Sequence, residues 1–118
     1  EILREAALSN EQAFHVVAWV ERGKTPVIGV NGSAEKPEFR RRFKDGKECF
    51  ISHAEMDAVS KLRDISPHDV LHVMRFTKRG NISMAKPCKY CHEYLRKKGI
   101  KKVRYTDWNG EWQKMTIE

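Results

Sequence analysis

Two cysteines three residues apart, Cys88 and Cys91, follow Pro87, and a His-Ala-Glu triplet stands at positions 53–55, with 31 residues between Glu55 and Pro87. At i and i+3 on the start of a helix two thiols share one face. Sulfur and imidazole donors suit zinc, which is held tetrahedrally, and three protein ligands leave a fourth position for water. If His53 is the third donor, the chain must bring the starts of two helices to one point. Both sets of free helix N–H groups then face the thiolates and favour their ionised form. Few arrangements of so short a chain satisfy that condition.

The pattern around the two motifs supplies the elements. Residues 2–8 predict a short amphipathic helix. Residues 13–21 and 26–30 are rich in β-formers and, with Arg22 to Thr25 between them, predict a hairpin. A polar loop follows from Asn31 to about Lys47. Residues 53–63 predict a helix with Ala54, Ala58, Val59 and Leu62 on one side. Residues 69–77 predict a strand, Arg79-Gly80-Asn81 a turn, and 88–98 a second helix closed by Gly99. Lys101 to Thr106 and Glu111 to Thr116 predict two strands joined at Asn109-Gly110, a hairpin signal. The joining segment is too short for a parallel crossover, so these strands must be antiparallel. Helices alternating with strands predict an α/β fold with a sheet covered by helices.

All 118 residues fit one domain. No apolar run approaches the roughly 20 residues of a membrane span, and no basic-then-apolar leader is present. The expectation is a cytoplasmic chain without a membrane partner, with a secreted toxin domain as the alternative. Three cysteines, one CxxC pair among them, fit a metal or redox site better than a disulfide framework. Cys49 fits a buried small apolar side chain.

The net charge is +7, unevenly spread. Residues 1–60 carry nine Lys/Arg against ten Asp/Glu; residues 61–118 carry fourteen against six. From Lys86 to Arg104 eight cations face Glu93 alone. That distribution suits a polyanion, DNA or RNA, or else a free nucleotide. Phe39-Arg40-Arg41-Arg42-Phe43-Lys44 offers cations and aromatic faces together, as single-strand binding requires. Arg40, Arg41, Arg42, Lys86 and Trp108 are the candidate nucleic-acid contacts. Core anchoring by the two phenylalanines, and cross-strand packing by Trp108 and Trp112, are the competing explanations.

Zinc lowers the pKa of water from about 15.7 to about 7. A carboxylate two residues from the histidine can take a proton from that water and return it to a leaving group. In this order the segments match the zinc deaminase signature H-x-E…P-C-x-x-C. Two other classes compete. Cys88-Lys89-Tyr90-Cys91-His92 also reads CxxCH, the c-type haem attachment pattern, with Met115 as a second axial ligand. A zinc-stabilised binding module would explain the ligands but not Glu55, and it would need a fourth ligand.

From the hairpin near Val16 to the last strand, the chain resembles the cytidine and deoxycytidylate deaminase superfamily. His53-Ala54-Glu55-Met56 is similar to the HAEM opening of deoxycytidylate and tRNA-adenosine deaminases. Gly29-Val30-Asn31-Gly32 is similar to the G-x-N-G turn of the deoxycytidylate enzymes. The resemblance implies a three-layer cytidine-deaminase-like fold with a five-stranded mixed sheet. It implies one zinc per chain on His53, Cys88 and Cys91, Glu55 as proton shuttle, and substrate contacts at Asn31, Ala54 and Pro87. The terminal hairpin departs from relatives that place a helix between the last two strands. It resembles compact bacterial, phage and toxin-type deaminases instead, several of which act on cytosine in DNA or RNA. Ala85 and Lys86 stand where the vertebrate mutator deaminases have Trp-Ser, so their flanking-base preference does not carry over. The implied activity is hydrolytic deamination of cytosine to uracil in DNA or RNA, with free cytidine nucleosides or nucleotides as the alternative, and adenine as a possible target base in either case.

Overall fold

Val16 to Val20 is an unbroken apolar run, and it forms the centre of β1 (His15–Arg22), a strand flanked on both sides. Such a strand has neighbours above and below the sheet, which is why Val17, Ala18, Trp19 and Val20 are all buried. The computed structural model describes residues 15–22, 25–32, 41–42, 48–49, 53–77 and 79–118. The expected helix at 2–8 and the residues Phe39, Arg40, Phe43 and Lys44 lie outside that set. Of Arg41, Arg42 and Cys49 only the backbone is described.

β1 pairs antiparallel with β2 (Thr25–Val30), the hairpin the sequence predicts, and the pairing runs up to Arg22 opposite Thr25. Its other edge pairs antiparallel with β5 (Val70–Phe76). β5 pairs parallel with β7 (Lys102–Thr106), which pairs antiparallel with β8 (Trp112–Thr116). The result is a mixed, open sheet in the order β2-β1-β5-β7-β8. A sixth strand, β6 (Ile82–Ser83), pairs with the end of β5. The five-strand expectation lacks it because two residues carry no period. In the loop expected from Asn31 to Lys47, β3 (Arg41–Arg42) pairs with β4 (Glu48–Cys49), an equally short ladder.

Two helices join the core among the described residues. α1 (Ala54–Ser60) is shorter than the span 53–63. Lys61 N–H and Leu62 N–H donate three residues back to Ala58 and Val59, and Ser60 Oγ donates to the Asp57 carbonyl. The last turn therefore tightens and the helix stops. α2 (Lys89–Lys98) ends at Gly99, whose φ of 93° is left-handed, with the Gly99 and Ile100 N–H groups closing on the Leu95 carbonyl. That is the stop the sequence predicts for a glycine.

Both helices contribute to one core: Ala54, Met56, Ala58 and Val59 from α1, and Cys91, Tyr94 and Leu95 from α2, with Ala18, Val20, Leu71, Val73, Val103 and Ile117 of the sheet side. A second cluster of Val17, Trp19 and Phe76 belongs to the other face of the sheet, as strand alternation requires. The terminal hairpin turns through Asp107 to Glu111. Gly110 N–H donates to the Asp107 carbonyl, and Gly110 takes a φ of 80°. Asp107 Oδ1 accepts the N–H groups of Asn109 and Glu111, which fixes the turn. This is a turn with a glycine bulge rather than a two-residue Asn-Gly turn. No helix among the described residues is long and apolar enough to cross a membrane.

Candidate metal centre and its cavity

β2 approaches α1 at Gly29 so closely that a Cβ there would lie 2.2 Å from the Ala58 backbone N and 2.5 Å from the Ala54 carbonyl. Only glycine permits this contact. Asp57, buried one turn along α1, accepts the Val30 N–H at 3.1 Å and pairs with Lys61 at 3.2 Å. Lys61 also donates to the Ile28 carbonyl. The strand end and helix start are thus locked together, with His53 as the residue that caps α1.

Cys88 caps α2, and Cys91 lies buried in its first turn. The His53 Nδ1 is 3.0 Å from Cys91 Sγ and 3.6 Å from Cys88 Sγ. The three donor atoms all lie within 4.8 Å of one another. With zinc–sulfur bonds of about 2.3 Å and zinc–nitrogen bonds of about 2.0 Å, a tetrahedral site has an N···S edge of about 3.5 Å. The Cys88 spacing matches that edge, and the Cys91 spacing is a closer direct contact. The group can hold a metal ion, and its donor chemistry is compatible with zinc. No fourth His, Cys, Asp or Glu joins it among the described residues.

The thiols behave as a coupled pair. Cys88 is pulled down to about 3, chiefly by its hydrogen bond with Cys91 and further by His53, against the cost of its own burial. Cys91 is pushed far above the thiol range by that same bond and by burial. Both shifts trace first to the one hydrogen bond between Cys88 and Cys91, which lowers the one thiol and raises the other. Glu55 is 6% exposed, and burial raises its carboxyl pKa, opposed by its backbone hydrogen bond and by His53.

A cavity of about 240 Å³ meets this group. Its lining includes His53, Ala54, Glu55, Cys88, Asn31 and Lys86. The sequence expectations that converge here are therefore the metal donors, the carboxylate, Asn31, Ala54 and Lys86. Asn31 is built into the wall: its Oδ1 accepts the Val16 N–H at 3.0 Å. The turn explanation holds as well, since Asn31 and Gly32 form a turn with Gly32 at φ 75°. Pro87 is buried beside Cys88 and does not line the cavity. Trp108 is exposed in the β7–β8 turn, outside the lining. Sequence reasoning passed over Arg75, Val16, Met84 and Ala85, which complete the wall. Arg75 had a signal: alternation along β5 puts it on the face of Leu71 and Val73, an unexpected place for a guanidinium.

Cys91 of the Cys88-to-His92 run faces His53 at 3.0 Å. Compared with models of protein families and with curated proteins, the sequence matches none. The site therefore stands on its geometry.

Proposed function

We propose that the chain is a zinc-dependent hydrolytic deaminase that converts cytosine to uracil in DNA or RNA, with one zinc on His53, Cys88 and Cys91. The observation that carries this reading is the placement of Glu55. It is a buried carboxyl on the wall of the same cavity that His53 and Cys88 line. A purely structural zinc wants a fourth protein ligand and has no use for such a group.

When bound, zinc supplies a Lewis acid that makes water nucleophilic near neutral pH. Glu55, its proton affinity raised by burial, takes a proton from the attacking water. It delivers that proton to N3 of the pyrimidine, then carries the proton of the hydroxyl newly bonded to C4 to the departing amine, so the C4–N bond breaks and uracil and ammonia leave. Asn31, its carboxamide fixed by Val16, orients the sugar or base. Arg75 and Lys86 in the same wall favour a substrate that carries phosphate. The excess of cations in the second half of the chain supports a polymer over a free nucleoside.

The test is mass spectrometry of nucleosides released from single-stranded DNA and RNA after incubation with zinc-loaded protein. Cytidine and deoxycytidine monophosphate are run beside them. Uracil in the polymer is the expected result, and inosine there would change the target base to adenine. Turnover of monomers alone would overturn the polymer assignment. No deamination of any of these would overturn the activity.

A further inference from the structure

Alternation along β7 and β8 assigns Val103, Tyr105 and Met115 to the core that contains both helices. Lys102, Arg104, Trp112 and Lys114 therefore stand on the opposite face of the sheet. On that face Trp19 stacks on His72, ring centroids 5.1 Å apart. Trp112 meets both edge-on at 5.8 and 5.9 Å. Trp112 nevertheless remains 45% exposed, and Trp108, four residues before it, is 72% exposed.

The register lines these groups up. Trp19 lies opposite His72, His72 opposite Arg104, and Arg104 opposite Lys114. The row crosses four strands and ends on two exposed cations facing each other. Like charges in that position destabilise a strand pair, and Lys102 adds a third on the same face of β7. Such a cost is offset when an anion lies along the row. Glu21, on the same face of β1, and Asp69 line one pocket with His72 and Arg104, while Lys102 and Lys114 lie outside it.

We propose that this face of the sheet binds single-stranded nucleic acid, with phosphates along Lys102, Arg104 and Lys114 and bases stacked on Trp112 and Trp108. Exposed indole faces beside cations serve unstacked bases, which a duplex does not offer. An acidic peptide would use the cations and leave the indoles without a role, and an anionic membrane is separated from nucleic acid by the competition below. Trp112 is already held by two rings, so stacking on it sacrifices little side-chain freedom. The surface lies across the sheet from His53 and Cys88, and its binding can be read without the reaction, although its cations also count among those that favour a polymer as deaminase substrate.

The test uses the purified chain and fluorescein-labelled oligothymidylate. Thymine has no amino group to lose, so binding is read without turnover, and failure of the deaminase assignment leaves this result intact. Trp108→Ala is expected to weaken binding about tenfold, as loss of one stacked base would. Arg104→Gln combined with Lys114→Gln is expected to flatten the log–log salt dependence by about 1.4, at about 0.7 per phosphate. All three side chains are exposed, and circular dichroism verifies the fold of each variant. Folded variants that keep wild-type affinity and salt slope would overturn the proposal. So would duplex DNA or phosphatidylserine vesicles that displace the oligonucleotide at equal concentration of charge.

Discussion

Glu55 and Cys88 are shifted in opposite directions within one small space. Burial raises the carboxyl, while hydrogen bonding with Cys91 holds the Cys88 thiol near 3. In the proposed reaction a raised carboxyl pKa suits proton transfer between water and an amine, whereas Cys91, raised rather than lowered, must lose its proton to any metal it donates to. Glu55→Gln keeps the shape and removes the titrating oxygen. Zinc content after dialysis should equal that of the wild type, while turnover should fall on the order of a thousandfold. A variant within tenfold of wild type would remove Glu55 from the chemistry. His72 offers a second residue-scale expectation. Burial depresses its pKa, with Glu21 opposing and Arg104 adding to the shift. The unfolded chain protonates this histidine near 6.5, and the folded chain resists until lower pH. Below about 6.5 the unfolded state therefore binds more protons, and stability falls as the pH drops through that window. Urea melts between pH 7 and pH 5 should show a shallower decline for His72→Gln than for wild type. Equal slopes would show that His72 titrates alike in both states. The clustering of three candidate metal donors was legible in the letters because metal chemistry admits few residue types, and Glu55 lies on the cavity wall with His53. Arg75 was legible only through its spacing, since a cation in a strand looks solvated until alternation with Leu71 and Val73 gives its face.

At the scale of elements, the contact between β2 and α1 decides whether the donors meet. A Cβ on Gly29 would overlap the backbone of α1, not a movable side chain. Gly29→Ala should therefore push the strand from the helix, at a cost of about 3 kcal/mol, and should lower zinc affinity as His53 moves. Chemical denaturation and metal titration of this variant check both parts; an Ala variant as stable as wild type would mean the interface slides freely. Nothing in the sequence announced this glycine as a packing residue, because Gly29-Val30-Asn31-Gly32 reads equally well as a turn. The longer elements were legible for a plain reason. β1 carries an unbroken apolar run, and β5 and α2 carry periodic patterns over seven or more residues. Segments of two residues, β3, β4 and β6, have no period to read and exist through their partners. The end of α1 was overestimated for a related reason. Leu62 continues the apolar face after the backbone has left the helix, and it still packs against the core.

For the molecule as a whole, a metal on this site would act as a cross-link. His53 lies 35 residues before Cys88 and 38 before Cys91, and β5 and β6 lie between them. Binding would tie the start of α1 to the start of α2 and close the intervening chain into a loop, as a long-range clip does. Without metal the same three donors are kept together by packing and by their own hydrogen-bond contacts, with both thiols beside a partly buried imidazole. Metal that binds only the folded chain adds about 4 kcal/mol at a thousandfold excess over its dissociation constant. For a domain of this size that corresponds to a melting temperature about 15 °C higher. Calorimetry of zinc-loaded and chelator-treated protein should show this difference in one cooperative transition, because both helices share one core with the sheet. His53→Ala should abolish the difference, since two thiols on one helix turn cannot close the loop. Identical melting of loaded and stripped wild-type protein would show that the cluster does not hold zinc tightly enough to matter. The metal centre and the reaction built on it would then fall together, while the cation–indole face of the sheet would stand or fall on its own titration.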